Sequence, residues 1–340
     1  MKPVHMFPLL LFLTVLAACR PEPATLEPEP EADTICFDRI EYVDRGPGII
    51  PGVYEHAGPD YSFGYPVCHP TSPDTLVYFM GFDDGVSLTS RRQELWWHNL
   101  RDGSGAMIYR GHTFHHTDLS PGGWVAFSSA RGVAVVQLDG SGLTYLQDGT
   151  WKPQWHPLGD TLFLEEAVAY QVDGQWIKQP YAETHFEVQK VPNSPDGKYS
   201  ANFEAGSPHQ IYVAEVASDV KDYLSLPEFV WPGGEMAWSA DQRFLYVLGA
   251  DTTAKDTNGI YYSGLFFRVN VQTDEVDRLR EFDGITQTYM RFDATADGQH
   301  LITSRVFTDS VGGGVWYQRP EIWIMDADGC NERKLELPME

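Results

Sequence analysis

The chain has 340 residues, 48 of them acidic and 24 basic, for a formal net charge of −24. Hydrophobic residues make up 42%, too many for general disorder, and the acidic balance excludes a mechanism built on gripping a phosphate backbone, so no nucleic-acid partner is expected. The 31 Gly, 23 Pro and 13% aromatic residues point to short strands joined by turns rather than to helices.

The first segment, MKPVHMFPLLLFLTVLAAC, has one Lys, an uncharged stretch to Ala18 and small residues before Cys19. This is the pattern of a secretory signal, and Pro3–Ala18 falls short of the roughly 20 apolar residues of a spanning helix. Leu16-Ala17-Ala18-Cys19 resembles the lipobox of bacterial lipoproteins. The resemblance implies removal of residues 1–18 and acylation of Cys19, so that a lipid anchor on Cys19 makes the membrane contact. Two or more acyl chains anchor stably, at about 0.8 kcal/mol per buried CH₂. Arg20, where an inner-membrane retention signal would carry Asp, favours the outer membrane of a Gram-negative envelope. Residues 19–34 follow as a tether. Four Pro and five acidic residues between Arg20 and Thr34 keep it extended and coreless.

Beyond Cys19, the remaining cysteines are Cys36, Cys68 and Cys330. Three thiols allow at most one bridge within the chain, an exported protein can form it, and the spacing leaves the pairing open.

Residues 35–64 read as a lead-in: Ile35–Val43 alternates apolar and polar residues, as an extra strand or a ring-closing one, and Asp44–Gly64 reads as a long loop. From residue 65 onward, β-rich runs recur at Leu76–Met80, Trp124–Ser128, Thr161–Leu164, Tyr199–Phe203, Phe244–Leu248 and His300–Ser304, each after a turn signal. The turns open at Ser72, Ser120, His156, Ser194, Ser239 and Thr295, with Pro, Asp or Gly at the positions that pre-set and close a turn. A second series of strands, Glu94–Leu100, Val133–Leu138, Ala167–Val172, Gln210–Val216, Leu265–Val271 and Glu321–Asp326, runs into polar tips such as Asp139-Gly140, Asp173-Gly174 and Asp328-Gly329, a strong hairpin signal. Insertions occupy Asp251–Ser263 and Val306–Tyr317.

About four strands per ~40 residues, six times over, predict an all-β, six-bladed β-propeller of four-stranded antiparallel blades across residues 65–340. Trp238-Ser239-Ala240-Asp241, Asn193-Ser194-Pro195-Asp196-Gly197 and Ile322-Trp323-Ile324-Met325-Asp326-Ala327-Asp328-Gly329 resemble the WD40-like PD40 repeats of TolB-type propellers. That resemblance implies a periplasmic interaction module.

No H-E-x-x-H, nucleophile elbow, P-loop or G-x-G-x-x-G is legible. No catalytic residue and no cofactor are therefore expected, nor a hydrolase domain after the last repeat. The function read from the sequence is a lipid-anchored envelope module that binds a protein or polysaccharide without catalysis. Trp151, Trp231 and Trp316, in connecting segments, are the candidate partner surface, whereas Trp155 and Trp238, at equivalent repeat positions, are expected in blade core. The alternative is a metal-dependent polysaccharide lyase or hydrolase. His69, His115, His116 and His156 lie at or near the strand before the turn in units one to three, where axial histidines could hold a metal as they do in oligogalacturonate lyases.

Overall fold

The computed structural model describes residues 60–83, 92–111, 114–149, 152–180, 193–204, 210–218, 220–227, 230–251, 264–282, 287–312 and 315–337. The chain divides into Met1–Ile35 and Cys36–Glu340, and every described residue belongs to the second unit. The signal segment, Cys19, the tether, Ile35–Val43 and most of the Asp251–Ser263 insertion lie outside the described residues.

The described residues form strands and turns and no helix, hence none long and apolar enough to cross a membrane. Blade 1 is β1 (Asp60–Cys68), β2 (Thr75–Asp83), β3 (Arg92–Asn99) and β4 (Gly105–Gly111). Blade 2 is β5 (Phe114–Leu119), β6 (Trp124–Ser129), β7 (Gly132–Gln137) and β8 (Thr144–Gln147). Blade 3 is β9 (Gln154–Trp155), β10 (Leu162–Phe163), β11 (Ala167–Val172) and β12 (Gln175–Pro180). Blade 4 contributes β13 (Tyr199–Phe203), β14 (Ile211–Glu215) and β15 (Lys221–Leu224), and its first strand is marked among the described residues by the single bridge Asn193–Ser200. Blade 5 is β16 (Val230–Trp238), β17 (Phe244–Asp251), β18 (Gly264–Asn270) and β19 (Val276–Phe282). Blade 6 is β20 (Gln287–Ala294), β21 (His300–Gly312), β22 (Val315–Asp326) and β23 (Arg333–Lys334). Each sheet pairs its strands in chain order and antiparallel, which makes the fold a six-bladed β-propeller.

Two boundaries differ from the sequence reading. Asp60 already pairs with Asp83, so blade 1 begins inside the segment read as a lead-in loop. The Val306–Tyr317 insertion is a continuation of β21 and β22, paired as far as Gly312–Val315, because a run of β-branched and aromatic residues extends the ladder instead of looping out.

Burial falls from the middle of each blade outward. All six residues of β6 are buried and five of six in β7, whereas β12 is mostly exposed. Strands sandwiched between neighbouring blades lose their polar alternation. Among the described residues, apolar clusters join blades 1 and 2 around Phe79 and Phe127, 2 and 3 around Trp124 and Trp155, 4 and 5 around Ile211 and Phe267, and 5 and 6 around Phe266 and Phe292. Trp155 and Trp238 are core, 4% and 7% exposed. The ring closes where Leu76, Tyr78 and Met80 of blade 1 pack on Ile302, Ile322 and Ile324 of blade 6. Among the described residues no strand crosses that junction, since both sheets are built from contiguous chain.

The turn chemistry explains the repeat. Ser194, Ser239 and Thr295 each accept a backbone N–H from the start of the next strand (Tyr199, Phe244 and His300, 2.9–3.0 Å). Each also donates to the Asp two residues on, Asp196, Asp241 or Asp297, at 2.6–2.7 Å. The turn closes in the left-handed region, which costs Gly197 (φ 70°) and Gly298 (φ 68°) little; Gln242 adopts it too (φ 62°). Third strands repeat a second device: Trp96 Nε1 donates to Glu94 and Trp323 Nε1 to Glu321, while Arg110 and Lys334 from the fourth strands pair with those carboxylates.

Candidate functional site at the channel axis

The first strands surround the axis: β1 packs on β5 and β20, β5 on β9, and β16 on β20. Their common register places one residue per blade, four before each turn opener, at one level. These are Tyr65, His116, Lys152, Glu235 and Arg291. The equivalent position in blade 4, Lys190, lies outside the described residues.

At this level the backbone is irregular in four blades. The pairing shifts between Gly64 and Val67 in β1, Phe114 and Thr117 in β5, Pro232 and Met236 in β16, and Tyr289 and Arg291 in β20. Tyr65 is also left-handed, at φ 55°, which costs a bulky residue free energy that surrounding structure must supply. Bulges re-aim side chains and gather near functional sites. Here they turn polar groups inward from strands whose neighbouring residues are core.

Arg291 pairs with Glu235 Oε1, and Lys152 Nζ reaches Glu235 Oε2 from blade 3 at 4.0 Å, so one carboxylate joins blades 3, 5 and 6. The Arg291 guanidinium lies 5.2 Å from the Tyr65 ring centroid, within cation–π range. Tyr65 in turn meets His116 edge-on at 6.4 Å. Lys152 keeps 56% of its side-chain area exposed, against 27% for Glu235 and 24% for Arg291. Burial lowers the Arg291 pKa. Burial, and then the charge of Arg291, lower that of Lys152, with Asp118 opposing.

Two residues further along, Asp118 and Asp293 latch neighbouring blades. Asp118 accepts Trp155 N (2.6 Å) and its own neighbour Leu119 N (2.9 Å). Asp293 accepts Cys68 N (2.8 Å) and Ala294 N (2.9 Å) across the ring closure. Burial disfavours the charged form of each, against the pull of those N–H donors. The pKa rises to about 6 for Asp118 and about 7 for Asp293, with Asp118 adding to the rise at Asp293.

Of the histidines singled out in the sequence, His69 and His156 stand where other blades have Ser or Thr. His69 Nδ1 accepts Thr71 N and Ser72 N (3.2 and 3.1 Å), and His156 Nδ1 accepts Leu158 N (3.2 Å). The first turn therefore opens at His69, whose N–H bonds Thr75 O, rather than at Ser72. Burial lowers the pKa of both rings, consistent with neutral imidazoles as acceptors. Among the described residues, no group of three or more His, Cys, Asp or Glu could hold a metal ion. His116 joins the axial layer, while the side chains of His115, Trp151, Trp231 and Trp316 lie outside the described residues. Cys68 is a buried free thiol and Cys330 is disulfide-bonded.

Sequence reading missed Tyr65, Lys152, Glu235, Arg291 and the two latch carboxylates. Aligning the six turn openers and counting back four residues exposes the layer, because a shared register makes residues at one offset share one height.

The site belongs to a propeller whose axial layer is polar and charged. No protein-family model matches the chain, and no curated protein matches it. It is similar to the hydrazine synthase of Kuenenia stuttgartiensis at 15% identity, covering 76% of this chain and 80% of that one, with a TM-score of 0.44. The β-propeller domain of the Trilobed protease from Pyrococcus furiosus is 9% identical, with 81% and 95% covered and a TM-score of 0.42. The periplasmic gluconolactonase PpgL of Pseudomonas aeruginosa is 16% identical, with 81% and 88% covered and a TM-score of 0.40. These likenesses concern architecture alone.

Proposed function

We propose that the protein is a lipid-anchored, TolB-like propeller of the Gram-negative cell envelope that holds a protein or polysaccharide partner at its channel axis without chemical turnover. The observation that carries this reading is the axial layer. Five blades bring Tyr65, His116, Lys152, Glu235 and Arg291 to one height, four of them on strands bulged at that level. The arrangement offers hydrogen bonds, charge and an aromatic face to a ligand. The carboxylates whose titration is most disturbed, Asp118 and Asp293, are engaged by backbone N–H groups of the next blade, and the His69 and His156 rings are engaged by their own turns. Both facts support binding over catalysis.

Capture from envelope extracts tests the reading. Wild-type chain should retain one defined partner that Arg291→Glu loses and the blade-edge variant Tyr145→Ala keeps. Equal capture by all three, or turnover of an envelope polysaccharide by purified chain, overturns it. For the anchor, Cys19→Ser should move the chain out of the membrane fraction. Unchanged fractionation with no acyl mass on the N-terminal peptide refutes lipidation.

A further inference from the structure

We propose that the axial layer is a carboxylate-binding site whose ligand position is held in the free protein by the chain's own Glu235, and that a carboxylate from outside exchanges with it. The inference rests on the reading of the axis as the binding site and names the chemistry recognised there.

The two oxygens of Glu235 engage different cations from different blades. Oε1 takes Arg291 of blade 6 and Oε2 takes Lys152 of blade 3. A carboxylate paired with Arg291 and 4.0 Å from Lys152 of another blade occupies a position that another carboxylate of similar size fits. Glu235 reaches it from a bulged segment of β16, where pairing is interrupted between Pro232 and Met236, so its backbone is not held by the ladder there. Lys152 is more than half exposed and gives a solvent route to the position. One carboxylate serves two cations in this layer, and its other described members, Tyr65 and His116, bring no further anion. Asp118 and Asp293, two residues further along, are already held by backbone donors. Two cations that share one carboxylate, Arg291 the less exposed of them, favour whichever anion neutralises them best. Exchange keeps the charge count constant: the incoming carboxylate takes both cations, and Glu235 swings into water.

The experiment vacates the position. Wild type, Glu235→Ala and Glu235→Ala/Lys152→Met are titrated with sodium acetate, with sodium chloride matching ionic strength and acetamide as the neutral control. The readout is the thermal midpoint. Glu235→Ala should melt below wild type and recover saturably with acetate, not with chloride or acetamide. Wild type should need at least tenfold more acetate for half its shift, because Glu235 competes. The double variant should lose the acetate response at least tenfold. If Glu235→Ala is recovered only unfolded, refolding yield in acetate against chloride reads the same site. A short peptide with a free C-terminal carboxylate, against its amide, separates sources. Tighter binding of the acid than of acetate assigns a chain-borne carboxylate, acid binding no tighter than acetate with no binding of the amide assigns a free one, and equal binding of acid and amide overturns the proposal. No difference between acetate and chloride in Glu235→Ala overturns the proposal and leaves the capture experiment standing.

Discussion

Replacing Asp293 by Asn should flatten the dependence of stability on pH around neutrality. Asp293 is the ring-closing latch, and it bonds a backbone group 225 residues away in sequence. Its pKa in the folded chain is raised from 3.8 to about 7. A carboxyl shifted in this direction adds stability that is fully present below its unfolded pKa and is lost as pH rises through the folded one. Between about pH 5 and about pH 8, linkage gives a loss of about 2.5 kcal/mol from this residue. Asp118, raised to about 6, adds about 1.4 kcal/mol by the same relation. Asn offers the same acceptor oxygen to Cys68 N without a charge to bury. Urea unfolding followed by tryptophan fluorescence, at several pH values, measures the slope. Asp293→Asn should lie within ~1 kcal/mol of wild type near pH 4, close to the unfolded pKa, roughly the net worth of one hydrogen bond, and above wild type near pH 8. A variant that keeps the wild-type slope, or loses more than about 2 kcal/mol at the alkaline end, would refute the reasoning, since the charged latch would then be the stabilising form. The turn carboxylates act elsewhere on the pH axis. Asp196, lowered to about 2 by hydrogen bonds with Lys198 and Ser194 that outweigh its slight burial, contributes stability that is lost only as pH falls through that value.

Phe127→Ala, at a fully buried site between blades 1 and 2, should cost about 3–5 kcal/mol in the same assay; a loss under about 1 kcal/mol would mean that the blades do not share this core. His69→Ser restores the residue type that opens most other turns and should be near neutral, whereas His69→Ala should cost about 1 kcal/mol through unsatisfied turn N–H groups, and equal effects would remove the turn-capping role. Cys68 is free and Cys330 is bonded, so if Cys19 is acylated, non-reducing peptide mapping should find Cys36 joined to Cys330. Cys330→Ser should then cost roughly 2–5 kcal/mol; a free Cys36 thiol in wild type would contradict the pairing.

The parts of this fold that were legible are those where one physical force dominates. β11 is Ala167–Val172, the same residues that the sequence pattern marks, because its buried start is an apolar run and Asp173-Gly174 ends it in a turn. First strands were hard to read. β9 has two residues and β20 carries Arg291 and Asp293, and inward polar groups erase the alternation by which strands are recognised. The axial site was illegible for the same reason: its members are of five residue types at one height, and only the repeat register relates them. The His69 and His156 turns show the converse. Chemistry-bearing side chains drew attention as ligands, and at the positions where other blades have Ser or Thr they accept N–H groups of their own turns instead.

Ring closure by side chains has a consequence for how the chain reaches its fold. Blade 1 is complete in its own strand pairing once Gly111 is made, but the flank formed by Leu76, Tyr78 and Met80 has its partners in Ile302, Ile322 and Ile324. During synthesis that apolar flank lacks its blade 6 partners until the last blade emerges, a long exposure of sticky surface. A chain stalled before blade 6 therefore offers the same face to chaperones and to other incomplete copies, and an isolated blade 6 hairpin presents its complement.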